Sequence, residues 1–544
     1  MFGSTDGRNF INAGQQSKDV LLPSDNTVSS FWITNPDNIY RDNVAAGSDS
    51  TGFWFALPAN GIGKFQDTEI GTKTFPRRTK VLEFKGNVSH SNFDSFMFDR
   101  GPRPDNTFAT AGHISLSNPA DANSPQVESI IENFTSYKNR NGGIWTRGEM
   151  HTFKGLKMAD NAIGYTHASG NTGRSAFTSR VVDSLFVGET ENIGNPTTPA
   201  EKAYGRSLPE PKVPDFPIRA YEFYDFRHQV DNVTFVNYQD NATRKTGAIS
   251  YLLFTSFGMS SNNTVERAKF VNAKPVYFPP MEYKWSNDDY GSGSYRSSVF
   301  HDKDGSVGGV PDSFIAINGS IPLVDGCEVK PTWNAAVCKG DVGRMNIGAG
   351  GGGGGGGRGG APAGGARGAA PAAAPAAVPA APGAVAQRGA APAPGAQAAA
   401  PGAAAGRGGA PAGGRGGGVG ARTGRIGDPP QPVAVLSFNG KEFPVAGATN
   451  VRAGTEYKVT TERPNLNLSV SEMNAGSWVM FELPGFTTAS AGTEQSSLDA
   501  LRNATTTSYY KGNGSLWVKL VSIGDVLGSQ AAPASGGANL QASR

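Results

Sequence analysis

Through the first 350 residues the apolar positions fall in short alternating runs, each preceded by Asn or Asp and broken by Asn or Gly. Clear instances are Asn43-Val44-Ala45-Ala46 leading to Gly52-Phe53-Trp54-Phe55, and Asn87-Val88-Ser89-His90 leading to Phe96-Met97-Phe98. Asn133-Phe134-Thr135-Ser136 leads likewise to Gly143-Ile144-Trp145, and Leu156-Lys157-Met158 to Asn161-Ala162-Ile163-Gly164-Tyr165. Ser184-Leu185-Phe186-Val187 follows, with weaker copies at Asn232-Val233-Thr234-Phe235 and Ala268-Lys269-Phe270-Val271. Period-two runs of this length suit strands, and the Asn/Gly breaks suit turns. Val44 to Val88 is 44 residues, Val88 to Phe134 is 46 and Phe134 to Leu156 is 22. These are near one or two multiples of about 22, one coil of a right-handed parallel β-helix, and the longer later intervals read as inserted loops. No helical period of useful length occurs. The expected class is all-β, with a β-helix over 1–347.

Asn87, Asn133 and Asn232 each open an Asn-x-Ser/Thr triplet at what reads as one repeat position. Asn at a coil corner caps backbone groups and tolerates a left-handed conformation, so a stacked Asn ladder explains them without glycosylation.

Composition changes the picture at one place. Residues 348–427 hold 29 of the 73 Gly and 9 of the 36 Pro, with long Ala runs. Such sequence buries too little apolar surface to offset chain entropy, so a disordered linker is expected. Its seven arginines (358, 367, 388, 407, 415, 422 and 425) include three Arg-Gly-Gly triplets. No aromatic residue accompanies them to stack on bases, so no nucleic-acid partner is expected. The chain's net charge of +3 comes from this stretch; the remainder is faintly acidic and has no global field for a polyanion. Residues 428–527 resume strand-like runs, Val433–Phe438, Tyr457–Thr460, Leu466–Val470, Trp478–Phe481 and Leu516–Leu520, and read as a small β-sandwich. Residues 528–544 read as a disordered tail.

No run of 18 apolar residues exists, so no membrane-spanning helix is expected. Cys327 and Cys338, eleven residues apart, form either one local disulfide in an oxidising compartment or two buried thiols. The start, Met-Phe-Gly-Ser-Thr-Asp-Gly-Arg, has no signal-peptide pattern and reads like the middle of a domain, so an N-terminally truncated fragment is expected.

Several ordered blocks resemble the CEMIP-type cell-surface hyaluronidase family. They are Ser30-Phe31-Trp32-Ile33-Thr34-Asn35-Pro36-Asp37-Asn38 with Gly52-Phe53-Trp54-Phe55; Tyr137-Lys138-Asn139 with Trp145-Thr146-Arg147-Gly148; Ala159-Asp160-Asn161-Ala162; Ser184–Glu189; Phe216-Pro217-Ile218-Arg219; Phe300–Val307; and Trp333 with Cys338. Gly476-Ser477-Trp478 and Ser508–Leu520 extend the resemblance past the linker. It implies a secreted or cell-surface protein that depolymerises an acidic polysaccharide of the hyaluronan type, as a hyaluronidase-like glycosidase or lyase, and a monomer is expected. The alternative is a non-catalytic glycan-binding or adhesion module. The resemblance does not reach the eight-glycine domain that the family carries ahead of its β-helix and on which activity is held partly to depend, so the fragment is not expected to cleave on its own.

Hydrolysis of a glycosidic bond needs two carboxyl groups, one protonated and one ionised; elimination from a uronate needs a base and a cation. His301, Asp302 and Asp304, beside Gly305 and Ser306, form the best local cluster: either a Ca²⁺ site with Asp302 and Asp304 as ligands, or a turn in which they cap amides. Arg147 and Asp160, about one coil apart, read as neighbours on one face, Arg147 for a uronate and Asp160 for acid/base work. Asn161, Glu189, Arg219, Tyr224, Asp225 and Trp145 are the expected substrate contacts. Each has a structural alternative: ladder, solvated turn or packing.

Overall fold

The computed structural model describes residues 29–48, 50–104, 108–170, 175–193, 217–225, 227–242, 244–251, 260–279, 299–317, 326–349, 432–445, 447–524 and 538–544. The expected linker from 350 onward and residues 528–537 of the expected tail lie outside them.

The repeating runs wind into a parallel β-helix with three faces. The first face holds Ile39–Arg41, Glu83–Lys85, Ser129–Glu132, His151–Lys154 and the first halves of Ser179–Val187 and His228–Val236. The second holds Val44–Ala46, Val88–His90, Thr135–Tyr137, Lys157–Ala159 and the second halves of those long strands. The third stacks Ser29–Ile33, Thr51–Phe55, Asp94–Phe98, Gly142–Glu149, Ile163–Ser169, Ile218–Phe223 and Thr246–Tyr251 in parallel register. Its inward column runs Phe31, Phe53, Phe96, Ile144, Tyr165, Tyr221, Ile249. Successive rungs therefore place like side chains over one another, with Phe53 and Phe31 stacked at 4.6 Å. Burying each such ring stabilises by about 1.5–3 kcal/mol, which no single coil could gain alone.

The coil spacing is as the sequence indicates, but the inward side chains are not. On the second face Val88 pairs with Val44 and Thr135, not Phe134. Val44 is 59% exposed while Ala45 is 1% exposed, so the inward column is Ala45, Ser89, Ser136, Met158, Phe186, Phe235. A three-residue strand is too short for alternation to fix its phase, and a one-residue slip reverses every side chain. Phe134 sits one step earlier, at the corner, level with the buried Asn87.

The three triplet asparagines accordingly do not share one position. Asn133 and Asn232 occupy the left-handed corner (φ 52° and 51°), together with Asp42, Asp183 and Arg267. Gly155 fills the same corner because a Cβ there would lie 2.4 Å from Asn133 Oδ1. Asn87 does make a rung, its Oδ1 accepting from Asn43 N and Nδ2 (3.0 Å each), but the longer Asn ladder runs at the corner between the second and third faces. Asn92 Oδ1 accepts from Ser48 N (2.8 Å), Asn139 Oδ1 from Asn92 N (3.1 Å) and Asn161 Oδ1 from Asn139 N (3.2 Å).

After the last rung the pairing turns antiparallel. Val299–Asp302, Ser313–Ile317, Ala335–Lys339 and Cys327–Lys330 form a hairpin cap, in which a disulfide joins the cross-strand pair Cys327 and Cys338.

The C-terminal region is two sheets, of five and seven strands, closed on one core that includes Ile347, Leu468, Phe481 and Leu516. All five expected strands are present. Val342–Ala349 pairs with Gly447–Arg452 and Asn465–Ser471, so this domain begins before the low-complexity stretch rather than after it. Ala538–Ser543 pairs with Asn465–Ser471, so the end of the expected tail is a strand. Its alternation (Leu540 and Ala542 inward) is masked in the sequence by flanking Ala, Ser and Gly.

Candidate functional site

The loops inserted between the third face and the next first-face strand all leave the β-helix along one edge. Rigid strands ending in variable loops are where binding groups are carried. The outward column of the third face reads Trp32, Trp54, Met97, Trp145 in register. Trp32 stacks on Trp54 at 6.2 Å, and Trp54 is covered by Phe108 at 5.3 Å. Trp32 is 38% exposed and Trp145 is half-buried.

At the end of this stripe stands Asp99. Because Thr146 pairs with Phe98, Arg147 falls beside Asp99 one rung away. Arg147 Nε lies 3.3 Å from each Asp99 carboxylate oxygen, and Trp145 Nε1 donates to Oδ2 at 3.0 Å. The amides of Arg100 (2.8 Å) and Ala111 (3.1 Å) donate to Oδ1, while Trp54 Nε1 donates to the Asp99 carbonyl at 2.9 Å. Burial opposes the Asp99 charge, but Arg147, Arg100 and the Trp145 N–H outweigh it and hold its pKa below the ordinary value. Burial also opposes the Arg147 charge, and Asp99 outweighs that too, raising its pKa. The Arg147 guanidinium lies 5.8 Å from the Tyr224 ring centre, and burial raises the phenol's pKa. Arg77 and Arg103 complete the cluster: burial, then repulsion from Arg103, lowers the Arg77 pKa. Arg147 and Arg100 thus pair directly with Asp99, and Arg77, which also feels its charge, brings Arg103 nearby, so arginine outnumbers Asp99 in this region.

Four expected site residues, Trp145, Arg147, Tyr224 and Asp225, lie in or beside this cluster. Asp225 accepts from Ser169 N (2.9 Å), Ser169 Oγ (2.6 Å) and His228 Nε2 (2.9 Å), and His228 Nδ1 meets Ser179 Oγ at 2.9 Å. Ser179, His228 and Asp225 have the order of a hydrolytic triad, but Ser179 and His228 are within 1% of complete burial, so the arrangement is core packing. His228 ends a buried imidazole file. The rings of His113, His151, His167 and His228 follow at 5.1, 5.1 and 5.8 Å, and His113 Nδ1 meets His151 Nε2 at 2.8 Å.

The other expected residues are elsewhere. Asp160 does not neighbour Arg147: it lies at the corner before the third face, while Arg147 lies at that face's far end and pairs with Ala168. The twelve residues between them cross two faces and fall well short of a whole coil, so the two side chains sit at different corners rather than one above the other. Asp160 instead accepts from Thr190 N (2.7 Å) and Oγ1 (2.8 Å). Glu189 pairs with Arg244; burial raises its pKa, with Arg244 opposing. Asn161 is a ladder rung, 4% exposed. Arg219 is buried against Glu222, which also accepts from Thr166 Oγ1 at 3.0 Å. His301 stacks on Phe314 at 4.5 Å and meets Asp312 at 2.8 Å. Asp302 accepts from the amides of Val307 (3.1 Å) and Gly308 (2.6 Å), and Asp304 from those of Ser306 (3.0 Å) and Arg267 (2.7 Å). These contacts make the segment an amide-capping turn. Among the described residues no three His, Cys, Asp or Glu side chains gather as a metal site.

Asp99, Arg77, Arg100 and Arg103 were not anticipated. The available signal was the register itself: once Phe96-Met97-Phe98 is laid over Ile144-Trp145-Thr146, Asp99 falls under Arg147.

Residues 4–97 match the family described as CEMIP beta-helix. The chain is 30% identical over 344 residues to human cell surface hyaluronidase CEMIP2, covering 59% of this chain and 24% of that protein. It is 31% identical over 348 residues to the mouse cell migration-inducing and hyaluronan-binding protein, covering 60% and 25%. The zebrafish (Danio rerio) cell surface hyaluronidase is 28% identical over 342 residues, covering 59% and 24%. The chain therefore spans about a quarter of the length of these relatives. Residues 4–97 thus match the CEMIP β-helix, and the longer span is similar to the CEMIP-type cell-surface hyaluronidases.

Proposed function

We propose that this chain is an extracellular or cell-surface glycan-handling β-helix, and that it captures an acidic polysaccharide of the hyaluronan class along the Trp32–Trp145 stripe. The observation that carries this reading is the surplus of arginine around Asp99 at the end of an outward aromatic column. Sugar rings stack on the indoles of Trp32 and Trp145, the two of the column that reach the surface, while Trp54 stays buried beneath Phe108, and a uronate carboxylate takes a guanidinium fork. The names of two relatives, which speak of hyaluronan binding and hyaluronidase activity, support the ligand class.

Capture is favoured over cleavage by this chain alone because every carboxylate of the cluster is committed. Asp99 and Asp225 are each held by several donors, and burial keeps the Tyr224 phenol protonated. None of them is left as a ready base. The test is retention of the chain on immobilised hyaluronan, with polymer length followed in parallel. Arg100→Ala and Arg147→Ala should each weaken retention on the order of tenfold, the loss of one charged hydrogen-bonding group. Shortening of the polymer by the wild type would replace the capture reading with an enzymatic one. Neither retention nor shortening would end both.

A further inference from the structure

The seven-stranded sheet of the C-terminal domain has an outer face of two unlike halves. In one half Ser508, Lys519 and Met480 are neighbours across three strands, all 3% exposed or less. The helix Leu498–Asn503 packs against this region, and Lys519 Nζ donates to the Ala504 carbonyl at 2.7 Å. Arg502 on that helix is occupied by Glu456 at 3.1 Å.

The next row on this face, two residues along each strand, is open. It reads Tyr510, Trp517, Glu482, Lys458 in direct register across four adjacent strands. Tyr510, Trp517 and Glu482 are half-buried and Lys458 is exposed. At the usual strand spacing this row is about 14 Å long. The Tyr510 ring lies over the backbone of Gly512, where a Cβ would fall 2.4 Å from the phenol oxygen and 2.6 Å from the ring. That glycine lets the ring lie along the sheet beside Trp517. Glu482 Oε1 accepts from Ser515 Oγ at 3.0 Å, and the Trp517 N–H has no acceptor among the described residues.

We propose that this row is a second saccharide site, separate from the β-helix stripe, and that it takes a neutral, β-linked linear oligosaccharide. Two aromatic side chains on a flat sheet offer their surfaces to the C–H faces of equatorial pyranose rings. The carboxylate and ammonium that follow in line accept from and donate to ring hydroxyls. A protein partner would need a broad apolar centre with a polar rim, whereas this row is one residue wide and ends in charge. The ligand is neutral because the Glu482 carboxylate and the Lys458 ammonium stand side by side in the row and leave it no net charge.

Titration of the full chain with chitohexaose and with cellohexaose, followed by calorimetry, tests this. Binding of at least one is expected, weakened at least tenfold in Trp517→Ala and in Tyr510→Ala, with retention on hyaluronan unchanged. Should Trp517→Ala lose its fold by thermal melting, Tyr510→Ala, near the sheet edge, decides the matter. No binding of either hexasaccharide to the wild type overturns the proposal. So does binding that survives the Tyr510 substitution unweakened. Failure here leaves the hyaluronan reading standing, because that reading is scored on a different ligand and different residues.

Discussion

The imidazole file makes the β-helix acid-labile by an amount that can be worked out. His113, His151 and His167 are each 2% exposed or less. Burial lowers the pKa of His113 to about 4, and burial, then the neighbouring imidazoles, lowers His151 and His167 well below the usual value. A histidine depressed in the folded state costs nothing while both states are neutral. Below the unfolded value, about 6.5, the unfolded chain takes up protons that the folded chain refuses, so stability falls as pH falls. For His113 the loss at pH 5 is about 2 kcal/mol, and below its folded value it levels off at about 3 kcal/mol. His151 and His167 add losses of the same sign. Together they reach the scale of a domain's whole stability. The carboxylates Asp99, Asp240 and Asp304, with depressed values, lose their contribution only at lower pH, whereas Glu189, Glu222 and Asp302, raised by burial, gain stability as pH falls, so the slope from 6.5 to 5 is the imidazole loss less that gain. Urea unfolding at pH 7.5, 6.5, 5.5 and 5.0 is the assay. A slope steeper than about 1.4 kcal/mol per pH unit, more than one proton, is expected. His151→Phe, which can still stack near Phe98, should flatten that slope at a modest cost at pH 7.5. A flat profile from pH 7.5 to 5, or an unchanged slope in His151→Phe, would refute the reasoning.

Asp99→Ala leaves Arg147, the Trp145 N–H and the Ala111 amide without their acceptor. It should destabilise by about 3 kcal/mol in urea unfolding, the usual cost of removing one partner of a buried pair. Reducing the Cys327–Cys338 bridge releases an eleven-residue loop. That should cost about 3 kcal/mol on the chain-entropy estimate, seen as a lower melting temperature in reductant. Asn161→Ala breaks the ladder rung that Asn139 donates to, and should lower stability by about 1–3 kcal/mol while leaving retention on hyaluronan intact. A loss of retention with unchanged stability would instead make Asn161 a ligand contact.

The winding of the chain was legible because it depends on spacing, and the intervals near 22 and 44 survive any local ambiguity. The phase of each short strand was not, because Val44 and Ala45 are both apolar and only stacking decides which one faces inward. Site residues divide along the same line. Trp145 and Arg147 were found because both lie on one strand and its end, while Asp99 needed the register between strands. The Asp160 pairing failed because chain distance within one coil does not tell which corner a residue occupies. Asp302 and Asp304 look alike in composition to a cation loop, and only the amides aimed at their oxygens distinguish a turn from a ligand set.

The strand Val342–Ala349 and the strands that resume at Ala434 belong to one folded body, so the Gly/Ala/Pro stretch is an internal excursion whose two ends are already moored together. Its length is then nearly free to drift. Doubling it adds only about 0.6 kcal/mol of closure entropy, and neither saccharide surface would be displaced from the other. Repeat slippage in the coding sequence would thus leave the working parts of the protein in place.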